Sequence, residues 1–256
     1  MLTTILAAGG AAAGAENPYG LGQALKEGGL ISQSVFTILC LMSIVSFYIL
    51  FSKLFEQQKI INQAKRVRQS FWSSNSLREG SAKLEKNSAY KQIVDDGLAA
   101  QDQHSKLTDP VEAHDWLHGS LARSEDLINS QLKSGLSFLA TVGSTAPFIG
   151  LFGTVIGIIR ALVKIGAAGQ ASIDAVAGPV GEALIMTAVG LAVAVPAVLA
   201  FNWLQARNKK ISESLNAFSN DLLGYLASDG RVRPAAAKAA PAKAAPAATT
   251  GTAPRA

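Results

Sequence analysis

Polar and apolar positions along this chain fall into long blocks. Three stretches carry no charged residue: 25 residues between Glu27 and Lys53, 26 between Lys133 and Arg160, and 24 between Glu182 and Arg207. A bilayer core about 30 Å thick is crossed by roughly 20 apolar residues at about 1.5 Å each, so every stretch is long enough to span it. The pattern predicts transmembrane helices over residues 30–52, 135–162 and 180–206.

Between and after these blocks the period is that of amphipathic helices. Residues 56–68 (EQQKIINQAKRVR) are rich in helix formers, with apolar positions at 60, 61, 64 and 67, so the first helix is expected to run on. Breaks are expected at 73–76 and near Gly80. At 108–112, Asp109 can cap, Pro110 can take the first helical position and Glu112 can close a capping box. Leu117, Leu121, Ile128 and Leu132 then form one stripe, which predicts a single helix from Asp109 through the second span. Residues 163–179 are rich in Gly and Ala and read as a tight external connection. Beyond Arg207 the apolar positions 211, 215, 218, 222, 223 and 226 extend the third helix through 207–230. The Ala/Pro/Lys/Thr-rich residues 231–256 cannot bury enough apolar surface to order themselves and read as a disordered tail.

The fold class expected is therefore all-α: a polytopic membrane protein whose three transmembrane helices extend into a helical cytoplasmic region, residues 53–134. Composition agrees, with 49% hydrophobic and only 16% charged residues, against about 25% charged in an average soluble domain. The first 18 residues lack the basic start and strong apolar core of a secretory signal and read as a flexible or processed lead-in to a periplasmic segment, residues 1–29. The placement of charge matters more than its net value of +5. Of 23 Lys and Arg, twelve lie within residues 53–133 and eight from Arg207 onward, leaving three elsewhere. By the positive-inside rule this puts the N-terminus and the 163–179 connection outside, and residues 53–134 and the C-terminus in the cytoplasm. It accounts for the basic excess without nucleic acid. The single cysteine, Cys40, has no partner in the chain and reads as a small apolar packer.

Two spans carry regular small-residue faces. Steps of four and three through the second give Gly143, Pro147, Gly150, Thr154 and Gly157, and through the third Ala183, Thr187, Gly190, Ala194 and Ala197. Small faces let membrane helices approach closely. Thr154 lies 21 residues beyond Lys133 and Thr187 lies 20 before Arg207. At about 1.5 Å per residue the two threonines sit about 30 Å up from the inner basic flanks, near one depth, with Glu182 about 7.5 Å further out. Glu182 is the one carboxylate at the edge of a span. Such groups are costly in lipid and usually face a bundle interior or a wet cavity. A rival reading makes it an interfacial helix-start residue favoured by the helix dipole. No Lys or Arg inside the apolar stretches stands ready to pair with it. Thr154, Thr187 and Glu182 together form a candidate polar lane for ions.

Other chemistry is not supported. His114 and His118 stand one turn apart but lack the glutamate of a zinc-protease helix and a third ligand. The run GLFGTVIG lacks the Gly-Lys-Ser/Thr ending of a phosphate loop. No serine, histidine and acid arrangement suggests an enzyme, and nothing calls for a cofactor or metal.

The runs GSTAPFIGLFGTVIGI at 143–158 and EALIMTAVGLAVAVPA at 182–197 resemble the signature of the MotA/TolQ/ExbB proton-channel family, most of all its ExbB branch. The resemblance covers roughly residues 25–230. It implies a homopentamer in the bacterial inner membrane around the transmembrane helices of an ExbD-like partner. It also implies proton flow that drives motion through a TonB-like protein to outer-membrane transporters. By position, Thr154 and Thr187 match the family's pore-facing threonines and Glu182 its third-helix glutamate, and the main proton-carrying aspartate is expected on the partner. The chain departs from the pattern just before Glu182, where Gly178-Pro179-Val180-Gly181 replaces Ala-Pro-Gly-Ile-Ala. A TolQ-like envelope subunit shares almost all these residues, and a scaffold without ion flux is the alternative of a different class. The four-span MotA branch fits three spans less well.

Overall fold

The computed structural model describes residues 29–234 apart from 75, 107–111 and 169–172. Six α-helices follow in order: α1 Gly29–Arg66, α2 Leu77–Ala82, α3 Ala89–His104, α4 Ala113–Lys133, α5 Leu136–Ala168 and α6 Ile173–Ala227. A π-helical turn over Val67–Phe71 follows α1. No strand occurs among the described residues. Three helical stretches are long and apolar enough to cross a membrane, as the charge-free blocks predict. The chain divides into two compact units, one holding residues up to 58 and 129–211, the other 59–128 and 212 onward.

In the first unit α1 is apolar around most of its circumference. Val35 and Leu39 are buried, yet Ile38, Leu41, Ile44, Phe47, Phe51 and Phe55 are exposed. A helix with so much bare apolar surface needs lipid or further protein to cover it. Its hydroxyls are neutralised locally, with Ser34, Thr37 and Ser46 each donating to the carbonyl one turn back at 2.7 Å. Val35 and Leu39 pack with Val142, Ala146, Met186, Val193, Ala194 and Ala197. A second cluster, Leu136, Leu139, Ala200 and Leu204, lies against Ile49, Leu50 and Leu54.

The expected continuous helix from Asp109 through the second span is interrupted. Helix α4 stops at Lys133, and Gly135 takes φ +81°, a left-handed conformation that closes helices and that glycine adopts without steric cost. A Cβ there would also lie 3.3 Å from Ile49 Cγ2. The carbonyls freed at this break are taken up by side chains: Lys53 Nζ donates to Gln131 O at 2.8 Å and Asn208 Nδ2 to Leu132 O at 2.9 Å. Gln57, itself buried, donates to Leu204 O at 3.0 Å and to Asn208 Oδ1 at 2.7 Å. This amide network ties α1 and α6 to the end of α4.

In the second unit Phe218 anchors an aromatic core, 5.4 Å from Phe71, 5.2 Å from Tyr90 and 5.9 Å from Trp72 between ring centroids. The stripe Leu117, Leu121, Ile128 of α4 and Leu215, Phe218, Leu222, Leu223, Leu226 of α6 are all buried, as their spacing predicts. Ser76 and Ser88 cap α2 and α3, accepting from Glu79 N and Lys91 N. A break falls at 72–76 as expected, but Gly80 lies inside α2. Its Cβ would meet the Phe71 ring at 2.9 Å, so glycine is required there by packing and the chain turns only after Ala82. The anticipated cap at Asp109 and Pro110, the lead-in 1–28 and most of the tail lie outside the described residues.

Asp221 and Tyr90 line a cavity of about 170 Å³ in this unit. Burial raises the Asp221 carboxyl above its usual value of 3.8, and Arg68 offsets part of that rise. A raised folded-state pKa means that Asp221 contributes its full stability in acid and loses it as pH rises through the folded value. Asp221→Asn is therefore expected to raise the melting temperature slightly at pH 7 and to leave it unchanged in acid, measured by thermal unfolding in detergent.

Candidate functional site

The small faces of α5 and α6 meet within the first unit. A Cβ added to Gly150 would lie 2.7 Å from Met186 O and 3.1 Å from Gly190 Cα, and one on Gly190 would lie 2.8 Å from Ala146 O. At Gly157 it would meet Ala183 Cβ at 2.8 Å, and at Gly143 it would collide with Val198 Cγ2. Backbone is thus packed on backbone, the contact that small residues allow between membrane helices. Ala194 is buried in the adjoining cluster, and Pro147 is half-buried in the interior of α5. The proline ring crowds the carbonyl four residues back, which belongs to Gly143. Gly153 belongs to the same contact, its Cβ position lying 2.8 Å from Met186 Cβ. Sequence reading in steps of four and three passes over it, although its place three residues after Gly150 was the available signal.

The contact fixes the register. Gly150 faces Gly190, Gly153 faces Met186 and Gly157 faces Ala183, so each step along α5 is matched by one in the opposite direction along α6. This puts Thr154 level with Met186, the neighbour of Thr187, and the two threonines share one depth as expected. Their hydroxyls do not bond each other. Thr154 Oγ1 donates to Leu151 O at 2.6 Å, while Thr187 Oγ1 is buried without a hydrogen-bond partner among the described residues.

Glu182 lies about one turn further out on α6 and is 4% exposed. Helix α6 begins at Ile173, nine residues earlier, so Glu182 is not a helix-start residue. Pro179 and Gly181, where the chain departs from the family pattern, are inside the helix, and residues 163–168 and 173–179 of the expected connection are helical too. The expectation that no cation would pair with Glu182 fails: Arg160 Nη1 lies 3.8 Å from Glu182 Oε1. Arg160 closes the charge-free run of the second span, and the antiparallel register brings it back beside a residue 22 positions later. Its Nη1 also donates to Ser32 Oγ on α1 at 3.2 Å, and Ser32 is buried. Oε1 of Glu182 accepts no hydrogen bond within the described residues, since 3.8 Å exceeds the about 2.7–2.9 Å of a charge-assisted bond. Charge is balanced there while a lone pair stays open.

The arrangement can carry charge rather than break bonds: one compensated carboxylate, one open hydroxyl, one hydroxyl tied to its own helix. His114 and His118 are exposed, with rings stacked 6.2 Å apart, and no cluster of three metal-binding side chains is found among the described residues. Cys40 is half-buried and unpaired.

Comparison with known proteins agrees with this layout. The model of the MotA/TolQ/ExbB proton channel family matches residues 85–217. The chain is 38% identical over 213 residues to biopolymer transport protein ExbB of Xanthomonas campestris pv. campestris, covering 79% of the chain and 84% of the relative. It is 35% identical over 203 residues to biopolymer transport protein ExbB of Neisseria meningitidis, covering 77% and 92%. To Tol-Pal system protein TolQ of Haemophilus influenzae it is 32% identical over 212 residues, covering 77% and 89%. The chain belongs to the MotA/TolQ/ExbB proton channel family. Among these relatives it is more similar to the proteins named ExbB than to the one named TolQ.

Two stability predictions follow from the packing and the open hydroxyl. Gly190→Ala places a methyl against Ala146 O and is expected to cost about 1–3 kcal/mol, as overpacking does. Gly119→Ala, with nothing within 4 Å of its Cβ position, should instead gain about 0.5–1 kcal/mol of helix stability. Thr187→Val, which removes a buried hydroxyl that lacks a partner, should be neutral or stabilising, whereas Thr154→Val should lose on the order of 0.5–1.5 kcal/mol. Melting temperatures of the purified variants in one detergent check each sign.

Proposed function

We propose that this chain is an ExbB-like subunit of an inner-membrane motor that uses the proton motive force to energise TonB-dependent outer-membrane transport. The observation that carries the reading is the open, charge-compensated carboxylate of Glu182 inside a span, one turn out from the level of Thr154 and Thr187. A buried carboxylate with no hydrogen bond is costly, and its retention beside Arg160 is understandable where water and protons reach it. The membership of the family and the greater identity to proteins named ExbB support the same assignment.

On this reading the chain is a homopentamer around the helices of an ExbD-like protein, with TonB-like protein as the mechanical output. The aspartate of the partner is the principal proton carrier, and Glu182, Thr154 and Thr187 hydrate and tune the path. The excess of Lys and Arg in residues 53–133 and after Arg207 sets the N-terminus in the periplasm and the C-terminus in the cytoplasm. The bare apolar surface of α1, α5 and α6 is covered by lipid and neighbouring subunits. A TolQ-like role in the Tol-Pal system is the second reading, favoured by the 32% identity to TolQ of Haemophilus influenzae.

Thr154→Ala combined with Thr187→Ala is expected to leave assembly intact and to abolish energised uptake of iron chelates by cells that depend on this gene. Normal uptake in that double variant would defeat the pore assignment and favour a scaffold. Co-purification separates the two branches, an ExbD-like partner supporting the first reading and a TolR-like partner the second.

A further inference from the structure

We propose that Arg160 is the positioning residue of the outer end of the ion path, holding the Glu182 carboxylate in place and coupling it to α1 through Ser32. The inference rests on the reading of Glu182 as part of that path. Three helices converge on this point. Glu182 is supplied by α6, Arg160 by α5 and Ser32 by α1, with N–O separations of 3.8 Å to the carboxylate and 3.2 Å to the hydroxyl. The guanidinium also lies against the start of α1, where the Cβ position of Gly29, at φ +63°, is 3.5 Å from Arg160 Nη2.

The asymmetry of exposure gives Arg160 a distinct part. Glu182 is 4% exposed and Arg160 29%, so the cation bridges the buried carboxylate and the surroundings of the bundle. Arginine suits this post, because its guanidinium stays charged and presents several donors in a fixed fork. One nitrogen serves Ser32 and faces Glu182, while Gly29 leaves room for the other. An isolated carboxylate at this depth would be expensive to bury. A tight bidentate pair would saturate its oxygens. At 3.8 Å the cation offsets the charge and leaves Oε1 able to take a proton, which forms an O–H bond on arrival and breaks it on departure.

No other described side chain on α1 or α6 offers Glu182 an opposite charge. The next cation along α5, Lys164, is exposed one turn beyond Arg160. Loss of Arg160 therefore leaves a buried charge uncompensated, the costly way to break a buried pair.

The test is proton flux into liposomes holding the full-length chain co-purified with its membrane partner, driven by an imposed pH gradient and potential. Arg160→Gln is expected to lower flux roughly tenfold or more, comparable to Glu182→Gln, and the double variant to be no worse than either single one, as for residues acting as a unit. Arg160→Lys should recover most of the flux. Oligomer size, followed by size-exclusion chromatography, should be unchanged in Arg160→Lys and in the double neutral variant. The assignment is overturned if Glu182→Gln abolishes flux while Arg160→Gln leaves it at wild-type level, or if the two losses multiply in the double variant. Unchanged flux in Glu182→Gln would instead remove the reading of the path on which the inference stands.

Discussion

Close contact between the backbones of α5 and α6 is the constraint on which the rest of the first unit depends. Gly150 and Gly190 leave no room for a Cβ between the helices, so the two cannot slide without opening a gap or driving side chain into backbone. That contact sets the antiparallel register, and the register places every polar residue of interest. Thr154 and Thr187 reach one level because Gly150 faces Gly190, and Arg160 reaches Glu182 because Gly157 faces Ala183. With lipid as apolar as the helix surfaces, association rests on packing of this kind. The first helix adds Val35 and Leu39 to the same core.

Polar groups are admitted at both ends of this unit and largely excluded between them. At the inner end Lys53, Gln57 and Asn208 satisfy the carbonyls released where α4 stops. At the outer end Arg160, Ser32 and Glu182 tie the three helices by charge and one hydrogen bond. The two differ in completeness. The inner network returns each freed carbonyl a donor, as a structural joint requires. The outer one leaves Glu182 Oε1 without a donor, and one turn inward Thr187 Oγ1 is also open. Unmet hydrogen-bonding capacity at a functional level of a membrane bundle is what a hydrated path supplies.

Much of the architecture was legible in the sequence because it depends on local quantities. The spans follow from charge-free length, and the buried stripes Leu117 to Leu132 and Ile211 to Leu226 follow from helical period. The glycine faces announced themselves by spacing. What was not legible depends on pairing or on backbone conformation. Gly135 is one glycine among many, and only its φ of +81° makes it the end of α4. Gly80 resembles a breaker but answers to the Phe71 ring. Arg160 looked like the boundary of a span because charge counting cannot see across a helical hairpin. Its value as a partner for Glu182 exists only once the register is known.

The central claim is that water reaches the level of Thr154 and Thr187 in the working assembly, although both lie within a tightly packed helix pair. The direct measurement is reaction of a small, charged, water-soluble thiol reagent with Thr154→Cys and Thr187→Cys, each in a Cys40→Ala background, in the complete complex in native membranes. The account predicts labelling at both positions, with no labelling of the Cys40→Ala chain alone. Protection of both cysteines in a complex that still conducts protons would contradict it.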